Sequence, residues 1–284
     1  MASFNNQATL TYNGTSINSN ITTGELLETL MACKTAVVNT YRKGDKVTFV
    51  VSISNSGSIP YTGLTITDDL GKYHYGSAQL TPLTYVPNSI QYYVGGVIQP
   101  APIVSSESPL VVTGIQVPAG SNAMLIYEAE LNQFAPQGLE DGVINTATIT
   151  GGGLSSPLTA KAEINPVTGP NLNITKSLCP LTVSENGTLT YTFTIQNTGN
   201  AEANISDAVT LTDNFNPILN NIVVTFNGTV WSSPSEYMYN TATGVFSTVP
   251  GAITVPAATF EQNPSTGEWK VTPGVSTLTV SGTV

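Results

Sequence analysis

Charge is scarce in this chain. Only 9% of its 284 residues are Asp, Glu, Lys or Arg, against about a quarter in an ordinary globular protein. The basic side is the thinner one, with 8 residues against 18 acids and Arg42 as the single arginine. A net charge of -10 repels phosphate backbones, which excludes nucleic acid as a partner. Histidine and cysteine are nearly missing too. His74 alone cannot assemble an imidazole metal centre, and Cys33 and Cys179 are too few for a four-ligand zinc site or a disulfide-stapled miniprotein. The acidic pairs Asp68-Asp69 and Glu140-Asp141 lack the alternating spacing of a calcium loop and read as solvated turns. No cofactor or metal is expected, and scattered carboxylates without a convergent acid/base set give no reason to expect an enzyme.

Long apolar runs are absent as well. Nothing approaches the roughly 18 apolar residues of a membrane span, so no membrane insertion is expected. The opening Met1-Ala2-Ser3-Phe4-Asn5-Asn6 has no basic region followed by an apolar core, and no sorting motif precedes Val284. A surface role would then need a leader already removed or an unconventional exit. Helical patterning is confined to residues 25–32, reading Glu-Leu-Leu-Glu-Thr-Leu-Met-Ala, which suit one or two turns in a linker.

What the chain does contain is alternation. Val47, Phe49, Val51 and Ile53 fall on one face of an extended run whose other face is largely Thr and Ser; Leu189, Tyr191, Phe193 and Ile195 repeat the pattern. Similar short runs lie at 64–67, 110–117, 124–131, 146–150, 209–212 and 222–226, between Gly, Pro and Asn punctuation. An all-β fold built of sandwiches follows.

The runs also repeat. Lys34 and Lys176, Ile53 and Ile195, and Asn55-Ser56-Gly57 and Asn197-Thr198-Gly199 each stand 142 positions apart, and Thr67-Asp68 and Thr212-Asp213 stand 145 apart. Two tandem immunoglobulin-like β-sandwiches are expected, at residues 26–168 and 169–284, behind an N-terminal segment at 1–25. The first copy closes with residues 141–153 and a second run through Leu158 to Ile164, a terminal β-hairpin. The second would need its counterpart from about position 287, past Val284. A hairpin of the same kind stands at the front instead: Asn6-Gln7-Ala8-Thr9-Leu10-Thr11-Tyr12-Asn13-Gly14, then Ile17 to Thr23.

Lys34-Thr35 or Lys176-Ser177, then Val-Thr-Phe or Leu-Thr-Tyr running into Asn-Ser-Gly or Asn-Thr-Gly, then Ile-Thr-Asp or Leu-Thr-Asp, then Asn145-Thr146-Ala147-Thr148, resembles the "domain of unknown function eleven" repeat of bacterial surface proteins. The resemblance spans both copies and implies immunoglobulin-like sandwiches in cell-surface stalks. The second copy departs from it by lacking the last hairpin, and the chain by lacking a signal peptide and an anchor.

A sandwich without its last strands exposes an apolar trough and open edges. The expectation is that the N-terminal hairpin fills the second domain of another copy, with Phe4, Asn6, Ala8, Leu10, Tyr12 and Ile17 as donor residues. Such a contact is heterologous and generates an open fibre. The alternatives are a floppy tail, or a hairpin folded back onto its own second domain. Domains of the resembled kind can also join Lys to Asn autocatalytically. The expected sets are Lys34, Asp68 and Asn145 within the first copy, and Lys176 and Asp213 with Asn6 of another subunit. Plain structural roles compete: a snorkelling Lys, a turn-capping Asn, an Asx-turn Asp.

Cys33 and Cys179 read as buried thiols or an intersubunit disulfide. Tyr92, Tyr93, Trp231 and Trp269 read as core or as a sugar-binding shelf. The function expected is a structural, self-polymerising subunit of an extracellular bacterial fibre, a pilus or a spore-surface appendage. The competing reading is a monomeric surface adhesin or stalk module binding a glycan or protein.

Overall fold

The protein is described here by a computed structural model covering residues 2–26, 29–139 and 142–284. It is all-β and divides into two compact units. The first takes the chain up to Asn39 with Gly44–Asn132 and Val143–Ile164; the second takes Asn165–Val284 together with Thr40–Lys43 and Gln133–Gly142.

Unit 1 is a two-sheet sandwich. One sheet runs in the order Val97–Gln99, Gln91–Val94, Asn122–Leu131, Lys46–Asn55, Leu30–Ala36; the other runs Ile103–Glu107, Leu110–Val117, Tyr61–Asp68, Val143–Gly151, Leu158–Pro166. That is the strand order of an immunoglobulin-type sandwich, in which the hairpin Val143–Gly151/Leu158–Pro166 completes the second sheet. Alternation supplies the core: Val47, Phe49, Val51 and Ile53 are buried in Lys46–Asn55, and Leu125, Tyr127 and Ala129 in its neighbour Asn122–Leu131.

Residues 25–32 do not form the expected helical turns. Glu25 and Leu26 end the strand Thr22–Leu26, Leu27 and Glu28 lie outside the described residues, and Leu30–Ala36 is a strand paired with Lys46–Asn55 from Leu30↔Asn55 to Ala36↔Phe49. Eight residues are too short to nucleate a stable helix, whereas a full ladder along a buried neighbour satisfies each backbone group.

Unit 2 repeats the first sheet, in the order Leu172–Cys179, Thr188–Asn197, Gly274–Thr283, Asn220–Phe226, Thr229–Val230. Lys46–Asn55 and Thr188–Asn197 share one burial pattern residue for residue. The second sheet differs. It holds only Thr212–Asn214, Val245–Thr248 and Tyr237–Tyr239, so Thr212–Asn214 stands at an edge. The run expected to begin at 209 is extended from Thr212 only.

The repeated Asn-x-Gly motif has a common physical role. Buried Asn197 accepts from the Gly199 and Asn171 N–H groups, both at 2.9 Å, and donates to the Ala201 and Pro256 carbonyls at 2.8 and 3.0 Å. Asn55 likewise accepts from Gly57 N–H at 2.9 Å and donates to the Ile59 and Pro118 carbonyls. At Gly199 a Cβ would collide with the Gly169 carbonyl, which explains the glycine. Asn197→Ala leaves several half-buried backbone groups without their partner and should cost unit 2 about 2 kcal/mol. Both tryptophans, Trp231 and Trp269, belong to that unit. Denaturant unfolding followed by their fluorescence therefore reads the loss directly.

Candidate functional site

Lys34 occupies an inward position of Leu30–Ala36, with its ammonium 5.1 Å from the centroid of Phe49 and 5.8 Å from that of Tyr127. Its side chain is fully buried, and Nζ lies 2.5 Å from Oδ2 of Asp68, the last residue of Tyr61–Asp68. Asp68 is therefore no solvated turn residue. It is 1% exposed, accepts from Leu70 N–H on Oδ1 at 3.0 Å, and receives the Tyr127 hydroxyl on Oδ2 at 2.6 Å. The neighbouring Asp69 does serve a turn, accepting from the N–H groups of Gly71 and Thr146.

Asn145 completes the cluster from the adjacent strand Val143–Gly151. Its Nδ2 donates to the Tyr127 oxygen at 3.0 Å, and its Oδ1, also buried, has no hydrogen-bond partner among the described residues. Of the residues expected together from sequence, Lys34 and Asp68 touch directly, and Asn145 is linked to Asp68 through Tyr127, a fourth member that the sequence reading missed. Its signal lies in the alternation of Asn122–Leu131, which turns Tyr127 to the same face as Leu125 and Ala129.

Burial pushes the Lys34 amine below its ordinary value, against the opposing pull of the Asp68 carboxylate. Burial also pushes the Tyr127 hydroxyl far above its ordinary value, and the Asp68 charge adds to the rise. A dry ion pair is costly. Passing one proton from Nζ to Oδ2 would remove both charges and leave a neutral, nucleophilic amine against a carboxyl group, with the Asn145 carboxamide linked to that carboxyl through the Tyr127 hydroxyl.

Unit 2 has half of this arrangement. Lys176 pairs with Asp213 and lies 4.4 Å from the ring centroid of Tyr191, but the two side chains are 41% and 18% exposed, whereas their unit 1 counterparts are sealed. Val280 stands opposite Tyr191 where Tyr127 stands opposite Phe49, so no hydroxyl reaches the aspartate from that position. Thr212–Asn214 pairs with Val245–Thr248 on one side, and among the described residues no strand lies on the other. The first strand of the unit is correspondingly bare: Leu172 is 38% and Ile174 50% exposed. A groove of about 400 Å³ runs there, lined by Leu172, Ile174, Ile195, Val209, Leu211 and Ile253.

The N-terminal segment forms the expected hairpin. Thr9–Tyr12 pairs with Thr15–Asn18 around Asn13-Gly14, both at positive φ, as a two-residue hairpin turn requires, and Ala2–Asn6 pairs with Thr22–Leu26. Phe4, Asn6, Ala8, Leu10, Tyr12 and Ile17 are all exposed. Cross-strand pairing of Leu10 with Ile17 sets them on one face, and Ala8 and Tyr12 share it by the two-residue period.

Cys33 and Cys179 are exposed, not buried, because each side chain points away from the sandwich interior along its first strand. Tyr92 is buried with its hydroxyl donating to the Gln116 carbonyl, and Trp231 stacks on Phe226. Glu140 and Asp141 lie outside the described residues. Among the described residues no three His, Cys, Asp or Glu side chains gather as metal ligands, and no helix is long and apolar enough to cross a membrane.

No family model and no curated protein matches the chain. Among solved structures it is similar to the major pilin subunit of Bacillus cereus, at 13% identity over 96% of this chain and 73% of that one, with a TM-score of 0.35. It is similar to the pilus backbone of Streptococcus pneumoniae at 12% identity over 86% of this chain and 55% of that one, TM-score 0.36. A family 123 glycoside hydrolase from Clostridium perfringens is matched at 11% identity over 49% of this chain and 28% of that one, TM-score 0.29. The chain thus spans little more than half the length, or less, of several structures it matches. Likenesses this distant carry no functional argument.

Proposed function

We propose that the chain is a structural subunit of an extracellular bacterial fibre, in which the N-terminal hairpin of one copy completes unit 2 of the next. The observation that carries this reading is the open edge of Thr212–Asn214 with the exposed groove beside it, at the place where unit 1 seats its own closing hairpin.

The register of unit 1 supports one register for the joint. There Ala147 pairs with Asp68 and Ile149 with Ile66. Matching Asn6-Gln7-Ala8-Thr9-Leu10 to Asn145-Thr146-Ala147-Thr148-Ile149 sets Ala8 opposite Asp213, Leu10 over the apolar groove and Asn6 toward Lys176. Main-chain hydrogen bonds supply the affinity, and the alternate side chains fix the register. Donor and acceptor surfaces differ, so the chain grows in one direction without closing. In the same reading Lys34 and Asn145 condense to a side-chain amide inside each subunit, and Lys176 and Asn6 do so between subunits, with Asp68 and Asp213 as the proton-handling carboxyls.

Ile174→Asp tests the groove. Ile174 is half exposed in the isolated chain, so the variant should fold with an unchanged tryptophan spectrum. A charge buried under the incoming hairpin should weaken each joint at least tenfold. Polymer size by light scattering that is unchanged in the variant would sink the groove as the acceptor.

A further inference from the structure

Four side chains meet at the unit 1 cluster, but condensing Lys34 with Asn145 uses only three of them in the reading above. Tyr127 is the remainder. Its hydroxyl is a bridge: it donates to Asp68 Oδ2 at 2.6 Å and accepts from Asn145 Nδ2 at 3.0 Å. Nδ2 is the nitrogen that must leave. A carboxamide nitrogen departs only as ammonia, so it needs a proton as the bond to Cγ breaks. No water-filled route is required, because the ring is buried and the hydroxyl touches both the proton store and the leaving group.

We propose that Tyr127 is a catalytic residue of this condensation, relaying a proton from Asp68 to the departing Asn145 nitrogen. The proposal rests on the covalent part of the function proposed above. The atoms balance as follows. The Lys34 ammonium first gives a proton to Asp68, and the resulting amine attacks Asn145 Cγ, forming the new C–N bond. Asp68 then passes its proton to the Tyr127 oxygen while the Tyr127 hydroxyl proton moves to Nδ2. The Cγ–Nδ2 bond breaks with its electron pair on nitrogen, and the carbonyl re-forms. The second Nζ proton restores the Asp68 carboxyl. One ammonia leaves, and the phenol is regenerated.

Stacking of Tyr127 on Phe49, with centroids 5.6 Å apart, holds the hydroxyl in line, and the raised affinity of the phenol for its proton keeps it protonated until the bond forms. Val280 at the matching position of unit 2 offers no such group. The Lys176 site accordingly lacks this relay and should bond more slowly than the Lys34 site.

The test follows the mass of the full chain. Wild-type and Tyr127→Phe chains are recovered unfolded from inclusion bodies, folding is started by dilution, and strand formation by circular dichroism is read beside intact mass. Wild type should lose the mass of one ammonia from unit 1 after folding, read on single-chain species before any Lys176–Asn6 joint releases a second. Tyr127→Phe should regain the same strand signal and lose ammonia about a hundredfold more slowly, the usual worth of a positioned acid or base. Ammonia loss from folded Tyr127→Phe at the wild-type rate overturns the relay. Wild type that never loses ammonia removes the covalent reading itself, a separate result. Should Tyr127→Phe fail to fold, the wild-type rate in mixtures of light and heavy water decides. A curved dependence on deuterium fraction is expected for two protons in flight, and a straight line overturns the relay.

Discussion

Full-length protein should grow into species whose mass rises with concentration, while a chain lacking residues 2–23 should run as a compact monomer under the same conditions. Light scattering after size-exclusion chromatography reads both. The deletion should leave unit 1 folded, because that unit keeps its closing hairpin Val143–Gly151/Leu158–Pro166. It removes only a hairpin whose Phe4, Leu10, Tyr12 and Ile17 are 58–71% exposed in the single chain. Burying those four at about 1.5 to 3 kcal/mol each gives on the order of 6 to 12 kcal/mol before ordering and association costs. Strand pairing along the open edge adds to it. A deletion variant that polymerises like the full chain would refute strand donation, and two compact monomers would do the same.

In the proposed joint the effect should be close to complete, because the hairpin and the open edge of unit 2 each leave apolar surface uncovered. The hairpin is a two-stranded ribbon, which is marginal in water without a sheet to lie on. The acceptor leaves an edge and an apolar groove uncovered.

Much of the fold was legible in the sequence, for physical reasons that differ by residue. Lys46–Asn55 and Thr188–Asn197 announce themselves because a half-buried strand must alternate, and their identical burial follows from that one rule. The Asn13-Gly14 turn is legible because few other dipeptides adopt two successive positive φ angles. Residues 25–32 misled because local helix propensity is weak beside a full antiparallel ladder, which no window of eight residues contains. Asp68 misled differently. Paired acids look solvated in sequence, yet Asp68 faces Lys34 across the sandwich and Asp69 turns to backbone N–H groups. Tyr127 was hidden because its partners lie 59 and 18 positions away, and nothing in its own strand marks a hydroxyl with chemical work to do.

The second large effect tests the proposed covalent bonds, and it separates the two sites. Polymers of the wild-type protein should survive boiling in detergent as a ladder, whereas Lys176→Ala polymers should collapse to single chains on the same gel. Lys176 is 41% exposed, so its loss leaves the unit 2 core intact and the non-covalent joint in place. Asn145→Ala should act on the other bond. It keeps the Lys34–Asp68 pair, whereas Lys34→Ala would leave a buried carboxylate uncompensated and confuse the result. The variant chain should retain the ammonia that wild type loses from unit 1. It should also lose the restraint of a closed loop of about a hundred residues, worth on the order of 4 kcal/mol by chain entropy.

Without the bond, pH should begin to matter. The folded Lys34 releases its proton below the ordinary lysine value because burial disfavours the charge. Between that lowered value and the ordinary one the unfolded lysine binds more protons, so the Lys34 contribution to the stability of Asn145→Ala unit 1 should rise with pH across the window and be smallest below it. In a wild type bonded as proposed, the amine would be an amide nitrogen with no proton to release, so this contribution should vanish. Thermal unfolding of both chains over alkaline pH distinguishes them. Matching pH profiles, with a wild-type ladder that dissolves on boiling, would leave a fibre held by strand pairing alone.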